Sequence, residues 1–87
     1  MYQDLYSEEI IKKLGKLKKK DPVQYEKVRK KMDAILVEPM HSYKFLHNNM
    51  KGINRVHIGH FVLVFIFDHE KKTVSFEDYD HHDIIYG

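Results

Sequence analysis

The chain closes on DYDHHDIIYG, Asp78 to Gly87: two adjacent histidines, acids on both sides, and a tyrosine three residues past the last acid. Imidazole, carboxylate and phenol are groups that move protons and bind phosphate near neutral pH. Upstream, NRVHIGH adds Arg55, His57 and His60. A bland alternative stands beside this chemistry: a polar tail on a last strand. If His57, His60, His81 and His82 converge, four imidazoles invite a metal. Yet His57 and His60 are three apart across a strand and a turn, not at the i, i+4 helical spacing that brings two ligands together. The chain also has no cysteine. Neither a metal nor a cofactor is expected.

Metal-free RNA cleavage suits these side chains better. The ribose 2′-hydroxyl attacks the adjacent phosphate, so the substrate brings its own nucleophile. The protein must take one proton, give one to the leaving 5′-oxygen and stabilise the extra negative charge between. Arg55 can clamp the phosphate, with His57, His81 or His82 as acid and base. Tyr86 can pin the tail to the core or offer a stacking face to a base.

Something must position these groups. Ser7 is a candidate N-cap with Glu8 and Glu9 in the first turn, and Ile10, Leu14 and Leu17 then recur at helical spacing, with Ile11 widening the stripe. Asp21-Pro22 punctuates. Asp21 can cap a second helix with Pro22 at its first position, and Gln24 can complete a capping box. Val28, Met32, Ile35 and Leu36 form the second stripe, which Pro39 ends. So short a connection predicts an antiparallel helical hairpin. Tyr2 to Tyr6 alternates as a short first strand. Strands are also expected over Arg55 to Ile58, over Phe61 to Phe67, and over Thr73 to Tyr79 after a turn at Asp68 to Lys72. On them Val56, Ile58, Phe61, Leu63, Phe65, Phe67, Val74 and Phe76 face the helices. Arg55, His57 and His60 lie on the other face beside the tail. Tyr79 reads as a sheet-edge residue, and His41, His47 and His69 as solvated loop residues. The class is α+β: an N-terminal helical hairpin on one face of a three- to four-stranded, mainly antiparallel sheet.

Eighty-seven residues suffice for one domain, 1–87, and 43% hydrophobic residues can bury a core. No basic lead followed by an apolar run marks a signal peptide. FVLVFIF is too short to span a bilayer as a helix, so no membrane partner is expected. The net charge of +2 conceals polarity: ten Lys or Arg lie between Lys12 and Lys31 against Asp21 and Glu26, whereas six acids follow from Asp68 onward against Lys71 and Lys72. A basic first half can follow a polyanion such as RNA, although lysines on small helices are commonly a solvated face.

In order, the helical hairpin, YKFLHNNMK (Tyr43 to Lys51), NRVHIGHFVLVF and DHHDIIY resemble the RelE/ParE superfamily of toxins, most closely the archaeal RelE-like toxins. The resemblance implies a cytoplasmic toxin that cuts mRNA in the ribosomal A site, leaves a 2′,3′-cyclic phosphate, and is neutralised by a RelB-like antitoxin. It implies phosphate binding and proton transfer for Arg55 and His57. The family's closing Gly-His-Arg, variable residues and Tyr fall on Asp80, His81, His82 and Tyr86. The expected catalytic set is therefore Arg55, His57, His82 and Tyr86, with His60, His81 and Asp83 positioning substrate. Lys12, Lys13, Lys16, Lys19, Lys20, Lys27, Lys30, Lys31 and Lys51 are expected to grip RNA. Many members carry Tyr-Arg after the strand's opening glycine, where this chain has Phe61 and Val62. Either His60 and His82 replace that arginine, or cleavage is poor. ParE-type relatives share the fold and act on DNA gyrase, so a non-catalytic binding protein is the alternative.

Overall fold

The first helix starts where its cap lies. In the computed structural model, which describes residues 1–38, 44, 45 and 52–86, Ser7 Oγ accepts from the Ile10 N–H at 3.1 Å and opens α1 (Glu8–Lys20). The same hydroxyl donates to the Glu77 carbonyl at 2.6 Å, which ties the helix start to the sheet. Asp21 Oδ1 accepts from the Gln24 N–H at 3.1 Å and opens α2 (Pro22–Val37), with Pro22 in its first turn. The expected return bond from the Gln24 side chain is replaced. Its amide donates instead to Tyr79 Oη at 2.9 Å, because a hydroxyl buried at that position needs a partner.

Among the described residues five strands form one sheet in the order β1-β5-β4-β3-β2. They are β1 (Gln3–Tyr6), β2 (Lys44–Phe45), β3 (Ile53–Ile58), β4 (Phe61–Asp68) and β5 (Thr73–His81). The helical hairpin thus separates two strands that lie at opposite edges. β1 pairs in parallel with β5, and every other pairing is antiparallel. The expected strands are all present, β2 adds a short fifth, and β3 begins two residues earlier than the alternation indicated. Gly59 and His60 make a two-residue turn between the paired Ile58 and Phe61. Gly59 has φ 65, the positive value required at the first central residue of such a turn.

Ile10 and Leu14 from α1 and Val28, Met32, Ile35 and Leu36 from α2 bury against Leu63, Phe65, Phe67, Val74 and Phe76 of the sheet. Burial at this scale is the main source of stability, and each large side chain contributes about 1.5–3 kcal/mol. One irregularity matters for the site. β5 carries a bulge: Phe65 pairs with Phe76 while the preceding Val64 pairs with Asp78, so Glu77 is the extra residue. Alternation therefore flips past Phe76. Tyr79, not Asp78, turns toward the helices, and it is 4% exposed rather than stacked at an open sheet edge. One further expectation changes: the last strand, expected to end at Tyr79, runs on to His81, and the rest of the polar tail is a short helix, α3 (His82–Tyr86). His69 is an exposed turn residue, as expected, with its Nδ1 2.9 Å from Tyr2 Oη and its ring stacked on Phe67. Pro39, His41, His47 and Lys51, with YKFLHNNMK apart from the backbone of 44 and 45, lie outside the described residues.

Candidate active site

β3 carries Arg55 and His57 on the sheet face opposite the helices, since residues two apart share a face. Their cross-strand partners on β4 are Val64 and Val62. α3 is fastened over this end of the sheet by the His82 N–H, which donates to the His60 carbonyl at 2.8 Å. That bond, together with ring contacts to His57 and Arg55, sets the end of the chain beside β3.

Four of the expected groups meet. The Arg55 guanidinium carbon lies 4.1 Å from the centre of the Tyr86 ring, a cation–π contact. Tyr86 Oη is 3.3 Å from His57 Nε2, across 29 residues of sequence. Which of the two donates depends on the imidazole tautomer. The His57 ring stacks on His82 at 5.5 Å between centroids, and His82 lies 4.5 Å from Tyr86. Asp83 stands next to both tail histidines, with Oδ1 3.4 Å from His82 Nδ1 and Oδ2 3.7 Å from His81 Nδ1. Arg55 Nε is buried with no acceptor among the described residues. A guanidinium nitrogen in that condition keeps an unused capacity to donate a hydrogen bond.

The floor of this cluster is Val62. It is fully buried, and it pairs with His57 on one side and Asp80 on the other. Among the described residues no cation stands at the centre of the face, which leaves Arg55 at its side. Neither His60 nor His81 joins the cluster. By the flipped alternation of β5, His81 pairs with Phe61 on the helical side, edge-on to that ring at 5.6 Å, and His60 stacks on His81 at 6.4 Å. Unbroken alternation along β5 would put His81 on the face of His57, and the bulge turns it to the other. The only cue was the spacing of three between the inward residues Phe76 and Tyr79.

The acids of the tail have structural work. Past Phe76, β1 no longer covers β5, and the N–H groups of Tyr79 and His81 donate to Asp78 Oδ1 and Asp80 Oδ1, each at 2.8 Å. The other partner is Lys13 Nζ, which donates to Asp78 at 2.7 Å and Asp80 at 2.8 Å. Burial works against the Lys13 charge, but the two carboxylates outweigh it and raise the ammonium above its ordinary value. The bond from Lys13 holds the Asp80 carboxyl below the usual carboxylate range, against a smaller opposing effect of burial. Lys13, one of the lysines expected to grip RNA, is held by two carboxylates. Lys12, Lys16, Lys19, Lys20, Lys27 and Lys30 are exposed, and Lys31 is half-buried. Among the described residues no His, Asp or Glu group has the geometry to hold a metal ion, and no helix is long and apolar enough to cross a membrane.

No family model matches the chain, and no solved structure matches it. It is 51% identical over 79 residues, 90% of its own length and 91% of the relative's, to an uncharacterized protein of Methanosarcina mazei. It is 44% identical over 87 residues, 99% of its own length and 92% of the relative's, to a Methanocaldococcus jannaschii protein named "Putative toxin RelE4". Identity at that level along nearly the whole of both chains, with two N-terminal helices on a mixed sheet, places the sequence: this chain belongs to the archaeal RelE-like toxins.

Proposed function

We propose that this toxin is a metal-independent endoribonuclease that cuts mRNA on the ribosome, in the cytoplasm, and that a RelB-like antitoxin neutralises it. The observation that carries the reading is the meeting of Arg55, His57, His82 and Tyr86 on one face. Arg55 binds the scissile phosphate. His57 and His82 exchange the two protons: one leaves the 2′-hydroxyl as its oxygen attacks phosphorus, and one reaches the departing 5′-oxygen. The products are a 2′,3′-cyclic phosphate and a 5′-hydroxyl end. Tyr86 positions the ribose or base, and Asp83 steadies the imidazoles next to it. With Val62 at the floor, stabilisation of the transition state falls to Arg55 and to the protonated member of the histidine pair. His60, with its ring against His81, is not placed to replace the family arginine, so that task falls to His82.

The reading is tested with ribosomes programmed with a defined mRNA, with and without the purified protein, and mRNA ends mapped by primer extension. The expected result is cuts at A-site codons that disappear for the His82→Ala, Tyr86→Ala double variant. Intact mRNA together with inhibited gyrase supercoiling would support a gyrase-directed protein on this fold instead.

A further inference from the structure

The active face leaves several groups unused, and they gather at the same end of the sheet on its helical side. A groove of about 350 Å³ runs there between α1 and the paired ends of β4 and β5. Leu17, Phe61 and Tyr79 give it an apolar floor, and Lys13, Lys16, Lys20 and Asp80 give it polar walls. Its charges do not cancel. Lys13 is held by Asp78 and Asp80, but Lys16 and Lys20 have no carboxylate partner among the described residues. The groove is therefore electropositive, and an anion is the ligand it favours. Its floor adds a second requirement. Phe61 is partly exposed, lies parallel to the buried Tyr79 ring at 5.2 Å, and has the His81 imidazole on its edge. A half-exposed ring beside an imidazole suits a flat partner. A group both flat and anionic is a nucleotide, for which stacked aromatics and lysines are the common receptor.

Continuity supplies the rest. The Gly59–His60 turn separates groove from active face, and the His60 carbonyl is the acceptor that fastens α3. We propose that the groove holds a nucleotide of single-stranded RNA flanking the scissile linkage, with its phosphate against Lys16 and Lys20 and its base against Phe61 and His81. This inference rests on the endoribonuclease reading and extends it. The RNA strand passes from Arg55 around the end of the sheet to α1, and this subsite lengthens the footprint without touching the chemistry.

The test is binding of a fully 2′-O-methylated hexanucleotide, which cannot be cleaved, measured by fluorescence anisotropy over a salt series. Wild type is compared with Lys16→Ala/Lys20→Ala, with Phe61→Leu, with Arg55→Ala and with Lys71→Ala, a lysine at the opposite end of the sheet. The double lysine variant is expected to weaken binding about tenfold and to reduce the salt slope by about 0.7, the value for one lost phosphate contact on a single strand. Phe61→Leu, which keeps the floor apolar, weakens binding about tenfold through lost stacking with little change in slope. Lys71→Ala stays within about twofold. Hexanucleotide binding unchanged in the double lysine variant but lost in Arg55→Ala would overturn the groove assignment and leave the nuclease reading intact. Binding that none of these variants weakens would overturn both. Tighter binding of a glutamate-rich decapeptide than of the hexanucleotide, abolished in the double lysine variant, would overturn the assignment in favour of an acidic protein partner.

Discussion

One end of this sheet presents two histidine pairs, and they are built for different tasks. On the open face, His57 and His82 stack on each other within reach of Tyr86 and Arg55. On the helical face, His60 and His81 stack beside Phe61, above a groove whose free charges come from α1. The pairs share a turn, a strand end and a residue type. They differ in the cation and hydroxyl beside them, and that difference decides which pair can do chemistry. A guanidinium and a phenol next to two imidazoles are the groups that the proposed cleavage of a phosphate ester requires. Imidazoles beside a phenylalanine make a platform. A one-residue bulge at Glu77 sorts them.

The largest expected effect is on the open face. Arg55→Ala or His82→Ala should lower the rate of mRNA cleavage by about 10²–10³, as loss of a preorganised donor or a proton-exchange group does. His81→Ala, on the other face, should act mainly on KM, by severalfold, with kcat changed about twofold or less. Equal losses in kcat for His81→Ala and His82→Ala would erase the distinction between the faces, and single-turnover cleavage separates these outcomes.

Both faces depend on one scaffold. Phe76→Ala, which opens a hole under β5 just before the bulge, should destabilise the fold by about 3–5 kcal/mol in urea titrations. Gly59→Ala forces a side chain into a positive-φ position at the turn that joins the two faces. No atom lies close enough to obstruct the added carbon, so the cost is backbone strain of about 1–2 kcal/mol.

Lys13→Met tests the clamp that holds the end of β5. All three partners are partly exposed, which limits the loss at pH 7 to about 1 kcal/mol. The pH dependence has a definite sign. Asp80 is lowered in the folded state, so its contribution is full above the unfolded carboxylate range near pH 4 and is lost as pH falls through the folded value. Lys13 is raised, so its contribution is full below about pH 10 and is lost only above that. Wild type and Lys13→Met should therefore differ across neutral pH and converge in acid. A difference that persists below pH 3 would show that Lys13 acts through packing of its stem instead.

Much of this architecture is legible in the residues because each signal is local. Ser7 and Asp21 announce helix starts, Ile10, Leu14, Val28 and Met32 announce buried stripes, and Gly59 announces a turn. The meeting of Arg55, His57, His82 and Tyr86 was also within reach, through the resemblance carried by NRVHIGH and DHHDIIY. The division of the histidines was not. It depends on parity along β5, and a single bulge reverses parity without leaving a composition signal. The roles of Asp78, Asp80 and Lys13 were hidden for a related reason. Their bonds span 65 and 67 residues, and periodicity says nothing about partners that distant. Gln24 is the instructive small case, since its side chain abandons a local capping bond for a tertiary one to Tyr79.

The central claim is that the groups on the open face act as one unit on one phosphate. It is tested most directly by kcat for ribosome-dependent cleavage in Arg55→Ala, His82→Ala and the double variant. Residues that serve one transition state are strongly non-additive, so the double variant should be about as slow as the slower single. Losses that multiply, or a kcat unmoved by any of the three, would contradict it.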